Sequence, residues 1–180
     1  MKYPIGIQTF EQIIRQGFVY VDKTDMVYSL ATEGKVYFLS RPRRFGKSLL
    51  LSTLRAYFEG KKELFSGLKM EMLEHDWFQY PVFHIDFNGV NFTIPGALNR
   101  VLDSILSRWE KEYGIVTDVP QEYGLRFSRI LQAAAEQTGR GAVVLVDEYD
   151  KPLLDVLEKA PEILEQNREI LKAFYSVFKQ

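Results

Sequence analysis

The chain has 180 residues, 46% of them hydrophobic and 26% charged, with a net charge of −1, so it is long enough to bury a core and has no overall basic field to draw it to nucleic acid or membrane. Cysteine is absent, which excludes disulfides, thiolate nucleophiles and cysteine-held zinc. No run of apolar residues is long enough to span a bilayer, and Met1 to Phe10 lacks the apolar core of a signal peptide. A cytoplasmic protein without membrane association is expected.

In chain order, Thr9 caps a predicted short helix over Phe10 to Arg15 that Gly17 ends. Phe18 to Val21 reads as extended. Asp22 or Thr24 then caps a second helix reaching about Thr32, with Met26, Val27 and Leu30 on one face. Lys35 to Ser40 is an apolar, β-rich run and predicts a buried strand. After the loop Arg41 to Phe45, a helix starts at Gly46, with Leu49, Leu50, Thr53, Leu54, Tyr57 and Phe58 at three- and four-residue steps, and Gly60 stops it. Lys61 to Asp76 is a charged connection anchored by Leu64, Phe65 and Leu68. Pro81 to Phe87 predicts the second strand and Asn88 to Pro95 a turn-rich loop.

Three further elements complete the pattern. A long amphipathic helix covers Pro95 to Glu112, with Leu98, Val101, Leu102, Ile105, Leu106 and Trp109 on one face. Another covers Glu122 to Gln137. Ala142 to Val146 is the most apolar strand, and it runs straight into Asp147 and Glu148. A last helix spans Pro161 to Lys179. Strands alternating with helices predict an α/β fold with a parallel sheet covered on both faces.

Two segments carry chemistry. Arg41 to Ser48 reads RPRRFGKS and resembles the Walker A pattern G-x-x-x-x-G-K followed by Ser or Thr, between a strand and a helix. Such a loop presents backbone N–H groups at a helix N-terminus to phosphates. Gly46 permits close approach, Lys47 reaches the β- and γ-phosphates, and the Ser48 hydroxyl ligates Mg2+. Arg43, Arg44, Phe45 and Leu49 complete the expected nucleotide-binding set. Arg41 stands where the pattern has glycine, and Pro42 fixes one φ there instead. The bland alternative is a basic turn before a helix.

The second segment, AVVLVDEYD over Ala142 to Asp150, has the Walker B form. A buried strand delivers Asp147 to the edge of the sheet, where it would hold Mg2+, and Glu148 would act as general base on the attacking water. The alternative is a core strand ending in a solvated acidic turn. Asp86 and Asn88 at the end of the second strand either touch water or Mg2+ or form a polar strand end, whereas Tyr20, Asp22, Lys23 and Thr24 either line an adenine pocket or cap a helix beside a packed tyrosine. Trp77 and Trp109 read as core, and His84 as a strand residue.

The combination YPIGIQTFEQII, YVDKT, FLSRPRRFGKSLLLSTLRAYFEGKKELFSGL, YPVFHIDF and VVLVDEYDKPLL closely resembles the bacterial AAA-ATPase-like family over nearly the whole chain. The resemblance implies a P-loop NTPase-like parallel sheet with flanking helices, truncated before the sensor strand and lid. Residues 1–34 would form a helical segment packed on the nucleotide domain, and 35–180 a partial ATPase core. ATP and Mg2+ are the implied ligands, with Lys47, Ser48, Asp147 and Glu148 in the roles above. It further implies that the chain is a fragment and that members often carry a C-terminal nuclease-type domain through which nucleic acid would be engaged; a homo-oligomer stands as an open alternative to a monomer. Two other readings stand beside ATP hydrolysis: a nucleotide-binding switch without productive hydrolysis, and a nucleic-acid-binding protein using the RPRR loop.

Overall fold

The computed structural model describes residues 2–40, 42, 45–116 and 122–179. The chain is mixed α/β, with a small parallel sheet of two strands and many helices. Contacts divide it into two compact units, one comprising residues 1–84 and 143–147, the other 85–142 and 148–180.

In the first unit, α1 (Phe10–Arg15), α2 (Thr24–Glu33) and α3 (Lys47–Phe58) are followed by a 3-10 turn at Lys62–Phe65 and by α4 (Lys69–Leu73). Helices α1 and α2 both pack on α3, and α2 also packs on α4. The apolar spacing of α3 explains this: Thr53, Ala56 and Tyr57 are buried on one face, while Arg55 and Glu59 pair at 2.7 Å on another. Phe10, Val27, Leu64, Phe65 and Met70 close the core. The Phe65 ring lies 4.9 Å from Phe10 and 5.1 Å from Trp77 between centroids, within the range of favourable aromatic pairs.

Hydrogen bonds between distant segments hold these short helices. Thr9 occupies the N-terminal position of α1, yet its side chain forms no cap; the Phe10 amide donates instead to Ser52 Oγ on α3 at 2.9 Å. Asp22 and Thr24 act as a shared cap. Asp22 Oδ1 accepts from the Thr24 amide and hydroxyl at 2.9 and 2.7 Å, Asp22 Oδ2 accepts from the Lys69 amide at 2.8 Å, and Thr24 Oγ1 accepts from the Met70 amide at 3.0 Å. One pair of side chains therefore caps both α2 and α4. Of the two expectations for this segment, the structure realises the cap, and both residues are already engaged there.

β1 (Val82–Asp86) pairs with β2 (Val143–Asp147). Phe83 and Ile85 are buried while Val82 and His84 are half-buried, the two-residue alternation of a strand. Both strands fall where the apolar runs placed them.

The expected first strand does not form. Lys35 to Ser40 has no strand pairing, and Val36 and Phe38 are 78% and 69% exposed. A strand exists only through ladder bonds to a neighbour, and β1 and β2 are the sheet's two members. The run has the composition of a buried strand without the partner that would make it one. The sheet is accordingly smaller than the one predicted.

The second unit contains α5 (Ala97–Glu112), α6 (Tyr123–Thr138), α7 (Lys151–Leu154) and α8 (Pro161–Tyr175), with a 3-10 turn at Ser176–Lys179. Helix α6 packs on α5 and on α8. The Phe127 ring stacks between Trp109 at 5.7 Å and Phe174 at 5.1 Å. Beside it lies a polar node that hydrophobic periodicity does not reveal. Arg126 Nε and Nη2 donate to the two oxygens of buried Glu110 at 2.7 Å each, Nη1 to Asp103 at 2.6 Å, and Nη2 to Ser107 Oγ at 2.9 Å. This bidentate arrangement satisfies the guanidinium and makes its burial tolerable.

No helix among the described residues is long and apolar enough to cross a membrane.

The shared cap yields a test. Partial burial pushes the Asp22 carboxyl up, but the amides of Thr24 and Lys69 together hold it below the usual aspartate value of 3.8. A lowered folded-state pKa adds stability that is present above the unfolded value and is lost as pH falls through the folded one. Asp22→Ala should therefore cost about 1–2 kcal/mol at neutral pH. In denaturant titrations that deficit should shrink as pH is lowered beneath the aspartate range; a deficit independent of pH would refute the charged cap.

Candidate functional site

The site residues of the first unit rest on α3 and β2, which pack against each other. Gly46 is the N-terminal cap of α3 with φ 76°, a left-handed conformation that glycine adopts without strain. Its carbonyl accepts the Leu50 amide at 2.9 Å, closing the first helical turn. The amides of Lys47, Ser48 and Leu49 open the helix, where no preceding helical carbonyl stands to accept them. No acidic residue occupies that first turn, so the helix carries no negative side chain of its own at the positive end of its dipole. Phe45 and Gly46 are exposed, whereas Lys47, Ser48 and Leu49 are half-buried. The Leu49 carbonyl receives the hydroxyls of Ser52 at 2.9 Å and Thr53 at 2.8 Å, locking the next turn. A helix start opened by an exposed glycine is a backbone arrangement that can receive an anion.

Arg43 and Arg44, expected to join this set, lie outside the described residues, as does Arg41.

β2 ends in Asp147, which is 5% exposed and shares the strand face of buried Leu145 through the two-residue period. Among the described residues no group of three or more His, Asp or Glu side chains forms a metal cluster. A nucleotide-borne Mg2+ needs fewer protein ligands, since it keeps waters and takes phosphate oxygens. A serine hydroxyl and one carboxylate match that limited demand.

In the second unit, Glu148 begins the turn that follows. Its φ of 51° makes it the one non-glycine residue among those described in the left-handed region. Such a conformation costs a residue with a side chain about 1–3 kcal/mol and gathers at functional positions. Sequence patterning gives no sign of it, because glutamate has no preference for that region. The turn is closed by the Lys151 amide donating to the Glu148 carbonyl at 3.0 Å. Tyr175, on α8, has its phenol pushed up by burial, then by the nearby negative charge of Asp150.

Asp86 is exposed at the end of β1, and its Oδ1 accepts the Asn88 amide at 2.8 Å. That contact is a local turn.

The first unit of this α/β protein thus sets an exposed, glycine-started helix against a strand that ends in a buried aspartate. The chain belongs to the AAA-ATPase-like family, whose model, described as predicted AAA-ATPase, matches residues 4–180. It is also similar to an uncharacterized protein in the vnfD 5' region of Azotobacter chroococcum mcd 1. The two are 44% identical over 181 residues, covering 99% of this chain and 34% of the relative. The chain thus spans about a third of that protein's length. No solved structure matches it.

The left-handed glycine gives a direct test. A Cβ at Gly46 would meet nothing within 4 Å, so backbone conformation alone opposes substitution. Gly46→Ala should destabilise the protein by about 1–2 kcal/mol, with Gly46→Asn costing less because asparagine tolerates this region. Equal melting temperatures for Gly46→Ala and the parent would contradict the assigned φ.

Proposed function

We propose that this chain is the nucleotide-binding part of an ATPase that binds ATP with Mg2+ and hydrolyses it. The observation that carries the reading is the pairing of α3, opened by a left-handed glycine and free of acidic residues in its first turn, with β2, which ends in a buried aspartate. Membership of the AAA-ATPase-like family supports the same reading.

In this proposal the amides of Gly46, Lys47, Ser48 and Leu49 hold phosphate oxygens, and the Lys47 ammonium neutralises the charge beyond them. Phe45 flanks the phosphate loop, with Arg43 and Arg44 adding positive charge. The Ser48 hydroxyl and the Asp147 carboxylate would hold Mg2+. The bound ion would neutralise charge on the phosphoryl group. Glu148 accepts a proton from the attacking water as general base. Residues 35–180 form the nucleotide-binding domain and residues 1–34 its helical support. Hydrolysis is coupled to an effector domain elsewhere in a longer protein, of nucleic-acid-processing or other type, in a cytoplasmic setting.

Titration with ATP in the presence and absence of Mg2+ tests the reading. Lys47→Ala should weaken binding by about 10- to 100-fold through loss of a charged hydrogen bond. Glu148→Gln should keep binding while turnover falls by about 10²–10⁴. Unchanged affinity in the first variant would remove the phosphate loop from the proposal. Equal turnover in the second would leave a nucleotide-binding protein whose base is not Glu148.

A further inference from the structure

The turn that begins at Glu148 is held in a conformation that its own residues do not favour, so something outside it must supply the restraint. Lys151 joins the turn to the loop that follows β1. Lys151 closes the turn through its amide, 3.0 Å from the Glu148 carbonyl. Its ammonium then donates to the Val90 carbonyl at 2.8 Å and to Asp155 Oδ2 at 2.5 Å, and it lies 5.3 Å from the centre of the Phe92 ring. Val90 and Phe92 belong to the loop that follows β1, and Phe92 is fully buried. The neighbouring Pro152 carbonyl accepts Asn167 Nδ2 from α8 at 2.8 Å, and Asn167 is itself buried.

The bond to Asp155 alone would be an ordinary pair four residues apart on a helix, of small consequence. The bond to Val90 is different in kind. It spans 61 positions and places a cation on a backbone carbonyl of a separate loop, where the aromatic face of Phe92 adds to the attraction.

We propose that Lys151 is the positioning residue of the acidic turn: its ammonium clamps the turn to the loop after β1 and so fixes the backbone of Glu148. Asn167 secures the other side of the same turn. The clamp is a property of the second unit alone, whereas its consequence for turnover rests on the ATPase reading above. A glutamate serving as general base must be held within a fraction of an ångström of its working position. Lys151 touches no reacting atom in this scheme; it acts through the backbone of Glu148.

The test uses Lys151→Met and Lys151→Arg in the whole chain. Lys151→Met keeps the apolar stem and removes every donor; Lys151→Arg keeps charge and donors. Amide hydrogen exchange without nucleotide is the first readout. The Lys151-position amide, bonded to Glu148, and the Thr93 amide, bonded to Asn91 Oδ1, should lose protection together in Lys151→Met by about tenfold or more, as loss of a charged hydrogen bond allows. Amides of α5 and α6 should keep theirs, and Lys151→Arg should recover part of the loss at both positions. Unchanged protection at either amide overturns the clamp. So does an equal loss throughout α5 and α6, which would make Lys151 a general core residue.

The second readout is the split between binding and turnover. Lys151→Met should lower kcat by about a hundredfold while the Kd for Mg-ATP stays within about twofold of the parent, since uniform binding is untouched. A raised Kd with unchanged kcat counts against a positioning role. If ATP binding proves independent of Lys47, the ATPase reading fails instead, and the exchange experiment still decides whether the clamp exists.

Discussion

The packing of β2 on α3 is the contact from which the first unit takes its form. These two elements lie far apart in the chain, yet they join early and late segments into one body. Helices α1 and α2 are too short to persist alone and depend on α3 for a surface. The α3 start and the β2 end are consequently held by a core rather than by their own loops. A rigid helix start is what allows backbone amides to act as a fixed anion site instead of a flexible one.

Polar side chains do more of the assembly than composition would suggest. Ser52 takes the first amide of α1, and Asp22 with Thr24 serves two helices at once. Arg126 binds three side chains of α5 from its place on α6. Lys151 and Asn167 secure the acidic turn. Apart from the Asp22–Thr24 bond within the cap itself, each of these joins segments between 15 and 61 positions apart. Their common feature is a short element whose backbone donors or carbonyls would otherwise be left without partners.

The acidic turn combines strain and restraint. Glu148 sits in a conformation that few glutamates adopt, and the bonds around it come from a loop, a helix and its own turn. Strain persists only where the surroundings over-determine the backbone. That arrangement suits a residue whose carboxylate must stay in one place.

Periodicity in the sequence determined the long helices α5, α6 and α8 and the positions of β1 and β2, because burial of one apolar face is a local pattern with a fixed period. It also determined Gly46 as a helix start and Leu64 and Phe65 as anchors. Family membership was legible from the loop and acidic segments together. The tertiary structure alone decided the fate of Val36 to Leu39, which have strand composition but no paired neighbour. It alone decided the left-handed Glu148, the double role of Asp22 and Thr24, and the reach of Lys151 to Val90. The physical reason is the same in each case: hydropathy records how much a residue gains from leaving water, whereas a hydrogen-bond partner is a matter of which distant atom arrives within three ångströms.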